Sequence, residues 1–277
     1  MRLINYNENL VPAGSAIFGL NRAINYGDGL IENIRIHDGE ILFFHDHMER
    51  MFHAMKALKI EVPENYTDPY FHKQIIELAH GENLNANARI RICIFRNGGG
   101  LYEPVKNNAE FFIEVQPMDY GYAWTNSPCD LGVFRDINKN FSSISFFKSM
   151  NALPYVMAAI FRKENNLGDC ILLNAQGKIA DAISSNLFWI EKGNIFSCPV
   201  SDGGIDGIMR RNLIHVLRQN DFVVKEKSIE PEELKNADEI FLTNTGVGIK
   251  PVSQFESVIF SSRITEKVFS MLKQQLA

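Results

Sequence analysis

Apolar residues recur along the chain in two rhythms, one typical of helices and one of strands. Helical spacing is found at Met48, Met51, Phe52, Met55 and Leu58, and again at Leu153, Val156, Met157, Ile160 and Phe161. We expect the first stripe to face a core and Asp46 to cap its helix. Short apolar runs bounded by turn formers predict strands at 41–44, 89–95, 111–115, 170–173, 187–190 and 239–243. The chain therefore reads as a mixture of helices and strands.

A turn-rich segment divides this pattern into two halves. Residues 118–128, MDYGYAWTNSP, contain no regular apolar period. The chain has 277 residues, 45% of them apolar, which is enough for two modest domains. We predict an N-terminal α+β domain at 1–117, a linker at 118–128 and a C-terminal α+β domain at 129–277.

Charge and hydropathy indicate which kinds of molecule the protein binds. The formal net charge is -5 and no run of Lys or Arg is present, which argues against a nucleic-acid-binding surface. The N-terminus does not resemble a signal peptide, and no apolar stretch approaches the length of a membrane span. We expect a soluble, cytoplasmic protein that acts on small molecules.

The cysteines predict neither a metal site nor disulfides. Cys93, Cys129, Cys170 and Cys198 are widely separated and form no CxxC pair. Reduced thiols in the core are the expected state.

Lys148 is the first candidate for chemistry. It lies in FFKSMN, directly after Phe146 and Phe147. Apolar surroundings disfavour the ammonium form and leave a neutral amine that can form an imine with an aldehyde. By itself the pattern also fits a surface lysine whose carbon chain packs along the two rings.

Four other segments could hold an anion or a cofactor ring. A glycine-containing turn at Gly204–Asn212 precedes a predicted helix, whose first amides, at Ile208 and Met209, could bind a phosphate. The segment Thr243–Val252, TNTGVGIKPV, places hydroxyls and glycines after a strand. Arg50 lies off the apolar stripe of its helix and could point to solvent or to a phosphate. Asp181 precedes a turn of small residues, and each segment alone also fits an ordinary turn or loop.

Taken in order, these segments resemble the class IV aminotransferase family, the pyridoxal phosphate (PLP) enzymes of fold type IV. The resemblance covers nearly the whole chain, and several motifs in family order are far more specific than any one of them. The motifs are NYGDGLIENIR at 25–35, HMER at 47–50, KSMN at 148–151, DAISSNLF at 181–188, GIMR at 207–210 and TNTGVGIKPV at 243–252.

The resemblance implies roles for individual residues. Lys148 would carry PLP as a Schiff base and transfer protons at the substrate carbon. The cofactor phosphate would be held by Arg50, by the amides of Ile208 and Met209, and by Thr245. Asp181 would pair with the pyridine nitrogen and keep the ring protonated.

The resemblance also implies the architecture. We expect an α+β, two-domain PLP fold type IV like that of the D-amino acid aminotransferases. The same resemblance implies a homodimer.

Three positions depart from the family pattern. Asp181 stands where the family usually has the longer glutamate, Ala152 where branched-chain aminotransferases tend to have tyrosine, and Met209 where many aminotransferases have threonine. GIMR, NLFW and RNGGGLY are similar to the aminodeoxychorismate lyase branch, whereas GDGLIE with Glu32 looks equally like the transaminases. The departures weaken a branched-chain assignment without separating the branches.

Three functions are therefore in competition. The first is an aminotransferase that moves an amino group between an amino acid and a 2-oxo acid. The second is an aminodeoxychorismate lyase that releases pyruvate to give 4-aminobenzoate. The third, suggested by Asp181, is a PLP-binding protein without turnover.

Substrate contacts are less well indicated. Arg91 or Arg96 could bind a substrate carboxylate, and Gly246 is a further candidate for substrate contact. Arg91 alternates with Arg89 along a strand, so it could equally line the polar face of that strand.

Overall fold

The computed structural model describes residues 2–13, 15, 21–119, 121–125 and 127–276. These form two compact units. The first unit contains the residues up to Gly121 together with Phe147–Asn151, and the second contains Tyr122–Phe146 and the residues from Ala152 onward. The first unit ends within the predicted linker 118–128, of which positions 120 and 126 lie outside the described residues. The domain limits drawn from the sequence stay a prediction.

The first unit is built on an antiparallel sheet of six strands. They are β1 (Leu3–Tyr6), β2 (Asn9–Pro12), β3 (Gly29–His37), β4 (Glu40–Ile41), β5 (Ala88–Arg96) and β6 (Ala109–Pro117). Their order is β2-β1-β6-β5-β3-β4. The helices are α1 (Arg22–Tyr26), α2 (Phe44–Ala57) and α3 (Asp68–Gly81). The strands predicted at 89–95 and 111–115 are confirmed as β5 and β6.

The apolar stripe of α2 packs into the core, as its spacing predicts. Met48, Met51 and Met55 are fully buried. Of the strand predicted at 41–44, only Ile41 lies in a strand, the end of β4; the rest is wrong, because Phe43 adopts a left-handed φ of 52° and the helix begins at the next residue. Asp46 therefore lies in the first turn of α2 and is not its cap.

A short segment from the middle of the chain completes the first unit at β3. The Ile31 amide donates to the Lys148 carbonyl at 2.7 Å, and the Met150 amide donates to the Gly29 carbonyl at 3.0 Å. Leu30 and Ser149 form an antiparallel bridge between these bonds. Phe147–Asn151 thus extends the edge of β3.

The second unit contains two sheets of five strands. The strands are β7 (Asp130–Phe134), β8 (Asp169–Leu173), β9 (Ile179–Ala182), β10 (Asn186–Glu191), β11 (Asn194–Ser197), β12 (Val224–Glu226), β13 (Glu239–Asn244), β14 (Gly248–Val252), β15 (Gln254–Phe255) and β16 (Val258–Ile259). Their orders are β12-β11-β10-β13-β14 and β16-β15-β7-β8-β9. The helices are α4 (Leu153–Glu164), α5 (Ile208–Gln219) and α6 (Arg263–Leu276).

Buried side chains from both sheets form the main core of the second unit. Leu131 and Ile171 from one sheet share a cluster with Trp189 and Leu242 from the other. The strands predicted at 170–173, 187–190 and 239–243 are confirmed as β8, β10 and β13. All four cysteines of the chain are free and buried, which agrees with the predicted core thiols.

The apolar stripe of α4 is helical but largely exposed. Leu153 is 72% exposed, Val156 48%, Met157 40% and Ile160 45%, whereas Ala158 is fully buried. We call Leu153, Val156, Met157 and Ile160 the α4 stripe. Among the described residues, no helix combines the length and the apolar character needed to cross a bilayer.

Candidate active site

Lys148 lies on the added edge of β3 in the first unit. Its carbonyl accepts from the Ile31 amide, so its backbone position is fixed by the sheet. Phe147 is 7% exposed, and Phe146 and Lys148 are half-buried. The lysine therefore follows a buried phenylalanine and is itself partly shielded from solvent.

Arg50 belongs to a buried polar cluster with Glu32 and His47. Its Nε donates to Glu32 Oε1 at 2.9 Å, and a terminal nitrogen donates to Glu32 Oε2 at 2.6 Å. His47 Nδ1 lies 2.6 Å from Glu32 Oε2. Arg50 is 5% exposed, so the solvent-facing alternative is wrong, and its contact with the cofactor phosphate stays a prediction.

The charges in this cluster are strongly coupled. Burial alone would raise the pKa of Glu32, but the Arg50 charge and the hydrogen bonds from His47 and Arg50 outweigh burial and lower the pKa to about 2. Burial lowers the pKa of His47. An ionised carboxylate only accepts, so a neutral His47 donates to it from Nδ1. His47 Nε2 is buried without a hydrogen-bond partner among the described residues.

Arg91 borders a cavity of about 430 Å³ in the first unit. Ile31, Phe95 and Met150 supply apolar walls, and Glu114 lies across from the guanidinium, 3.7 Å away. The Arg91 side chain is 38% exposed. A partly exposed arginine at an apolar cavity suits a substrate that carries a carboxylate, and this role stays a prediction.

Arg96 has a different environment. It is 7% exposed. It donates to Asp28 Oδ2 at 3.0 Å, to Asn107 Oδ1 at 2.5 Å, to the Lys59 carbonyl at 2.9 Å and to the Leu58 carbonyl at 2.6 Å. These bonds tie the GDG turn to neighbouring loops and favour a structural role over the predicted substrate contact, which no observation tests directly.

Asp181 lies on β9 in the second unit and is 4% exposed. Oδ1 accepts from the Ala182 amide at 3.2 Å and from Asn186 Nδ2 at 3.3 Å. Oδ2 accepts from the Ile205 amide at 3.0 Å and from the Tyr155 hydroxyl at 3.1 Å.

Burial dominates the titration of Asp181. It raises the pKa to about 6, against the opposing effects of the Ile205 amide, the Lys139 charge, the Tyr155 hydroxyl and the Ala182 amide. A buried carboxyl with this pKa is suited to share a proton with a basic nitrogen.

The start of α5 adjoins Asp181 through Asn186. Asn186 Nδ2 also donates to the Ile205 carbonyl at 2.8 Å. Gly207 caps the helix, and a Cβ on this residue would lie 1.9 Å from Asn186 Oδ1, so any larger residue would displace the Asn186 side chain. The first amides of a helix, here at Ile208 and Met209, have no acceptor within the helix. No acidic residue lies in this first turn, all of which the structure describes, and the positive end of the helix dipole is therefore available to an anion.

Thr245 and Gly246 lie in the turn after β13. Asn244 Oδ1 accepts from the Gly246 and Val247 amides, both at 2.9 Å. Asn244 Nδ2 donates to Ser185 Oγ at 3.0 Å. The second unit therefore brings this turn, the turn after Asp181 and the start of α5 together. The Gly246 amide is engaged locally, and its substrate contact stays a prediction.

Four contributing residues were not assigned a role from the sequence: Glu32, His47, Tyr155 and Asn186. Glu32 and His47 are polar residues on buried faces of β3 and α2, and Tyr155 is a polar-tipped residue within an apolar helix. A search for buried polar residues on predicted elements could have selected them. Their partners are distant in sequence, so pairing required the structure.

The model of the amino-transferase class IV family matches residues 29–255 of this chain. The aminodeoxychorismate lyase of Vibrio harveyi is 26% identical over 84% of this chain and 85% of its own length. A branched-chain aminotransferase from Thermoproteus uzoniensis, solved with norvaline, has a TM-score of 0.88 at 25% identity over 98% of this chain and 93% of that one. A branched-chain amino acid aminotransferase from Thermobaculum terrenum, solved in its PLP form, has a TM-score of 0.86 at 19% identity, over 99% of this chain and 93% of that one. The α+β fold implied by the motifs is confirmed.

Proposed function

The chain belongs to the amino-transferase class IV family, and on that basis we propose that it is a PLP-dependent aminotransferase that moves an amino group between an amino acid and a 2-oxo acid. The observation that carries the proposal is the Asp181 carboxyl, which is buried, held by four donors and raised in pKa to about 6. Such a group can hold a proton on a ring nitrogen.

The residues present fit this cofactor. The start of α5, with its Gly207 cap and no acidic residue in the first turn, suits a phosphate. Ile208 and Met209 would hold it through their amides, and Thr245 through its hydroxyl. Arg50 would add a charge-assisted contact. The relative from Thermobaculum terrenum, which shares the fold, was solved with PLP bound.

Lys148 and Asp181 have different roles in the proposed reaction. Lys148 would carry the cofactor covalently and, once released, its Nζ would move the proton at the substrate carbon that bears the amino group. Asp181 would hold the proton on the ring nitrogen. When bound, the cofactor supplies an electron sink for bond breaking at that carbon.

Arg91 is the proposed partner of the substrate carboxylate. It adjoins the apolar cavity formed in part by Ile31 and Met150. Substrate side chains of apolar character fit these walls, with the carboxylate turned to the guanidinium.

Aminodeoxychorismate lyase activity is the second candidate. The segments GIMR and NLFW favour it, and the Vibrio harveyi lyase is as similar to this chain as the transaminases are. The same lysine would then promote loss of pyruvate from an aminated chorismate derivative.

We further propose that the protein is a homodimer. The α4 stripe presents four large apolar side chains at i, i+3, i+4 and i+7 spacing. An exposed stripe of this size is unusual on a monomer, and the same surface on a second copy can cover it about a two-fold axis.

Two assays test the function. Borohydride reduction of the PLP-loaded protein should fix the cofactor on the peptide that contains Lys148, and label on another lysine would refute the assignment. An amino-acid panel with 2-oxoglutarate or pyruvate, run beside a pyruvate-release assay on aminodeoxychorismate, decides between the candidates. If the protein is active in neither assay, both candidate functions are contradicted.

A further inference from the structure

Four donors surround the Asp181 carboxylate, and one of them differs from the rest. The Ala182 amide, the Ile205 amide and Asn186 Nδ2 are N–H groups that can only donate. The Tyr155 hydroxyl, 3.1 Å from Oδ2, can donate or accept. Tyr155 is therefore the partner among these four that can serve both the ionised and the protonated carboxyl.

The Tyr155 ring is held firmly behind this contact. It packs against a buried cluster of Phe134, Ala158, Cys170 and Leu172, between α4 and the strands β7 and β8. Burial, followed by the nearby Asp181 charge, raises the pKa of Tyr155 well above its ordinary value, so the hydroxyl keeps its proton. A fixed ring with a protonated hydroxyl gives the carboxylate a defined orientation.

We propose that Tyr155 is a positioning residue that orients the Asp181 carboxyl for its pairing with the cofactor ring nitrogen. The proposal rests on the proposed function and deepens it. Asp181 has only one carbon between backbone and carboxyl, so the side chain cannot adjust its reach by bending. Its orientation depends on the surrounding donors, and α4 supplies one through Tyr155.

Other charged groups near Asp181 do not substitute for this contact. Lys139 Nζ donates to the Gly203 carbonyl at 2.6 Å and to the Ser145 carbonyl at 3.1 Å. Lys139 thus acts on Asp181 through its charge. The Cys198 thiol is also close enough to sense Asp181, and burial keeps it protonated by raising its pKa.

The experiment compares Tyr155→Phe with the wild-type protein. The substitution keeps the ring and removes the hydroxyl. In the apoprotein labelled with ¹³C-aspartate, the resonance that is missing in Asp181→Asn reports the pKa of Asp181. We expect this pKa to rise in Tyr155→Phe because a donor to the charged form is lost.

The loaded protein supplies a second measurement. With ¹⁵N-labelled PLP bound, the ring-nitrogen signal should move toward that of the unprotonated pyridine. We expect kcat to fall roughly tenfold or more, the effect of one hydrogen bond to a charged group. In an Asp181→Asn background, Tyr155→Phe should have little further effect, because the two residues act as one unit.

Tyr66→Phe is the matched control. Tyr66 is a half-buried tyrosine of the first unit whose ring packs among Tyr70, Phe71 and Phe111. It should leave the Asp181 pKa and the ring signal unchanged.

An unchanged Asp181 pKa in Tyr155→Phe would overturn the proposal. A raised pKa with an unchanged ring signal would also overturn it. If Asp181→Asn leaves that signal unchanged as well, the fault lies in the role given to Asp181 and hence in the proposed function.

Discussion

Two buried carboxyl groups in this chain have opposite pKa shifts, and their neighbours explain the difference. Glu32 is paired with the Arg50 guanidinium, and its pKa is lowered to about 2 in spite of burial. Asp181 has amide and hydroxyl donors but no ion pair among the described residues, and burial raises its pKa to about 6. Glu32 is thus a permanent counterion, and Asp181 is a group that changes charge near neutral pH.

The first expectation concerns the charge of Asp181 in catalysis. Asp181→Asn should lower kcat on the order of 100-fold with PLP still bound, as for loss of one preorganised electrostatic group. Steady-state kinetics and the absorbance of bound PLP measure the two effects. Asp181→Glu should also lower activity, because the four donors are placed for the length of aspartate. Full activity in Asp181→Asn would remove the ring-nitrogen role.

The pH dependence of apoprotein stability gives a second expectation. The folded pKa of Asp181, about 6, lies above its ordinary value of 3.8, so the folded state binds the proton more tightly than the unfolded state. The wild-type protein should therefore lose stability relative to Asp181→Asn as pH rises from about 4 to about 6, by up to ~3 kcal/mol. Urea unfolding of both apoproteins at about pH 3 and about pH 7.5, below and above both pKa values, measures the loss. A stability difference between the two proteins that is the same at both pH values would contradict the raised pKa of Asp181.

Arg50 should matter for cofactor binding and for folding. Arg50→Ala should raise the Kd of PLP by the equivalent of about 1.5–3 kcal/mol. It should also destabilise the apoprotein by about 3–5 kcal/mol, because Glu32 would stay buried without its counterion. Fluorescence titration and urea unfolding separate the effects.

Lys56→Ala is the control for Arg50, since it removes a positive charge from an exposed position of the same helix. Lys56→Ala should change neither the Kd of PLP nor the stability of the apoprotein. An Arg50→Ala protein that binds PLP with wild-type affinity would restrict Arg50 to holding Glu32.

At the scale of elements, α4 has two faces with different tasks. Tyr155 and Ala158 pack inward, whereas the α4 stripe is exposed. The sequence predicted the helix from this stripe, but apolar period alone does not tell whether a face meets its own core or a second chain. The strand predicted at 41–44 ends at Ile41, because the apolar run continues into a helix after the left-handed turn at Phe43.

Met157→Glu should weaken self-association. A buried methionine contributes about 1.5–3 kcal/mol per side chain, so the dimer dissociation constant should rise at least tenfold. Sedimentation equilibrium measures it. Gln274→Glu, which places a carboxylate on an exposed position of α6, should leave it unchanged. Equal dissociation constants for wild type and Met157→Glu would place the dimer interface elsewhere.

At the scale of the whole molecule, the family motifs predicted the α+β fold, which is confirmed, whereas the roles that they imply for individual site residues stay predictions. The strands with continuous apolar runs could also be predicted from the sequence, since a strand that is buried on both faces has apolar residues at successive positions. The Glu32–Arg50 pair and the Tyr155–Asp181 contact could not be predicted, because each joins positions 18 and 26 residues apart, respectively, on different elements. The return of Phe147–Asn151 to the first unit has no local sequence signal at all.

That return affects how the protein can be made. A ribosome that has released only the residues up to Gly121 has produced every named strand of the six-stranded sheet, but not the segment that pairs with Gly29 and Ile31. Until Phe147–Asn151 is synthesised, this stretch of β3 has unpaired backbone groups that can recruit another strand. The first sheet is therefore complete only after the segment that contains Lys148 has been synthesised, so the proposed catalytic lysine is made together with the last piece of that sheet.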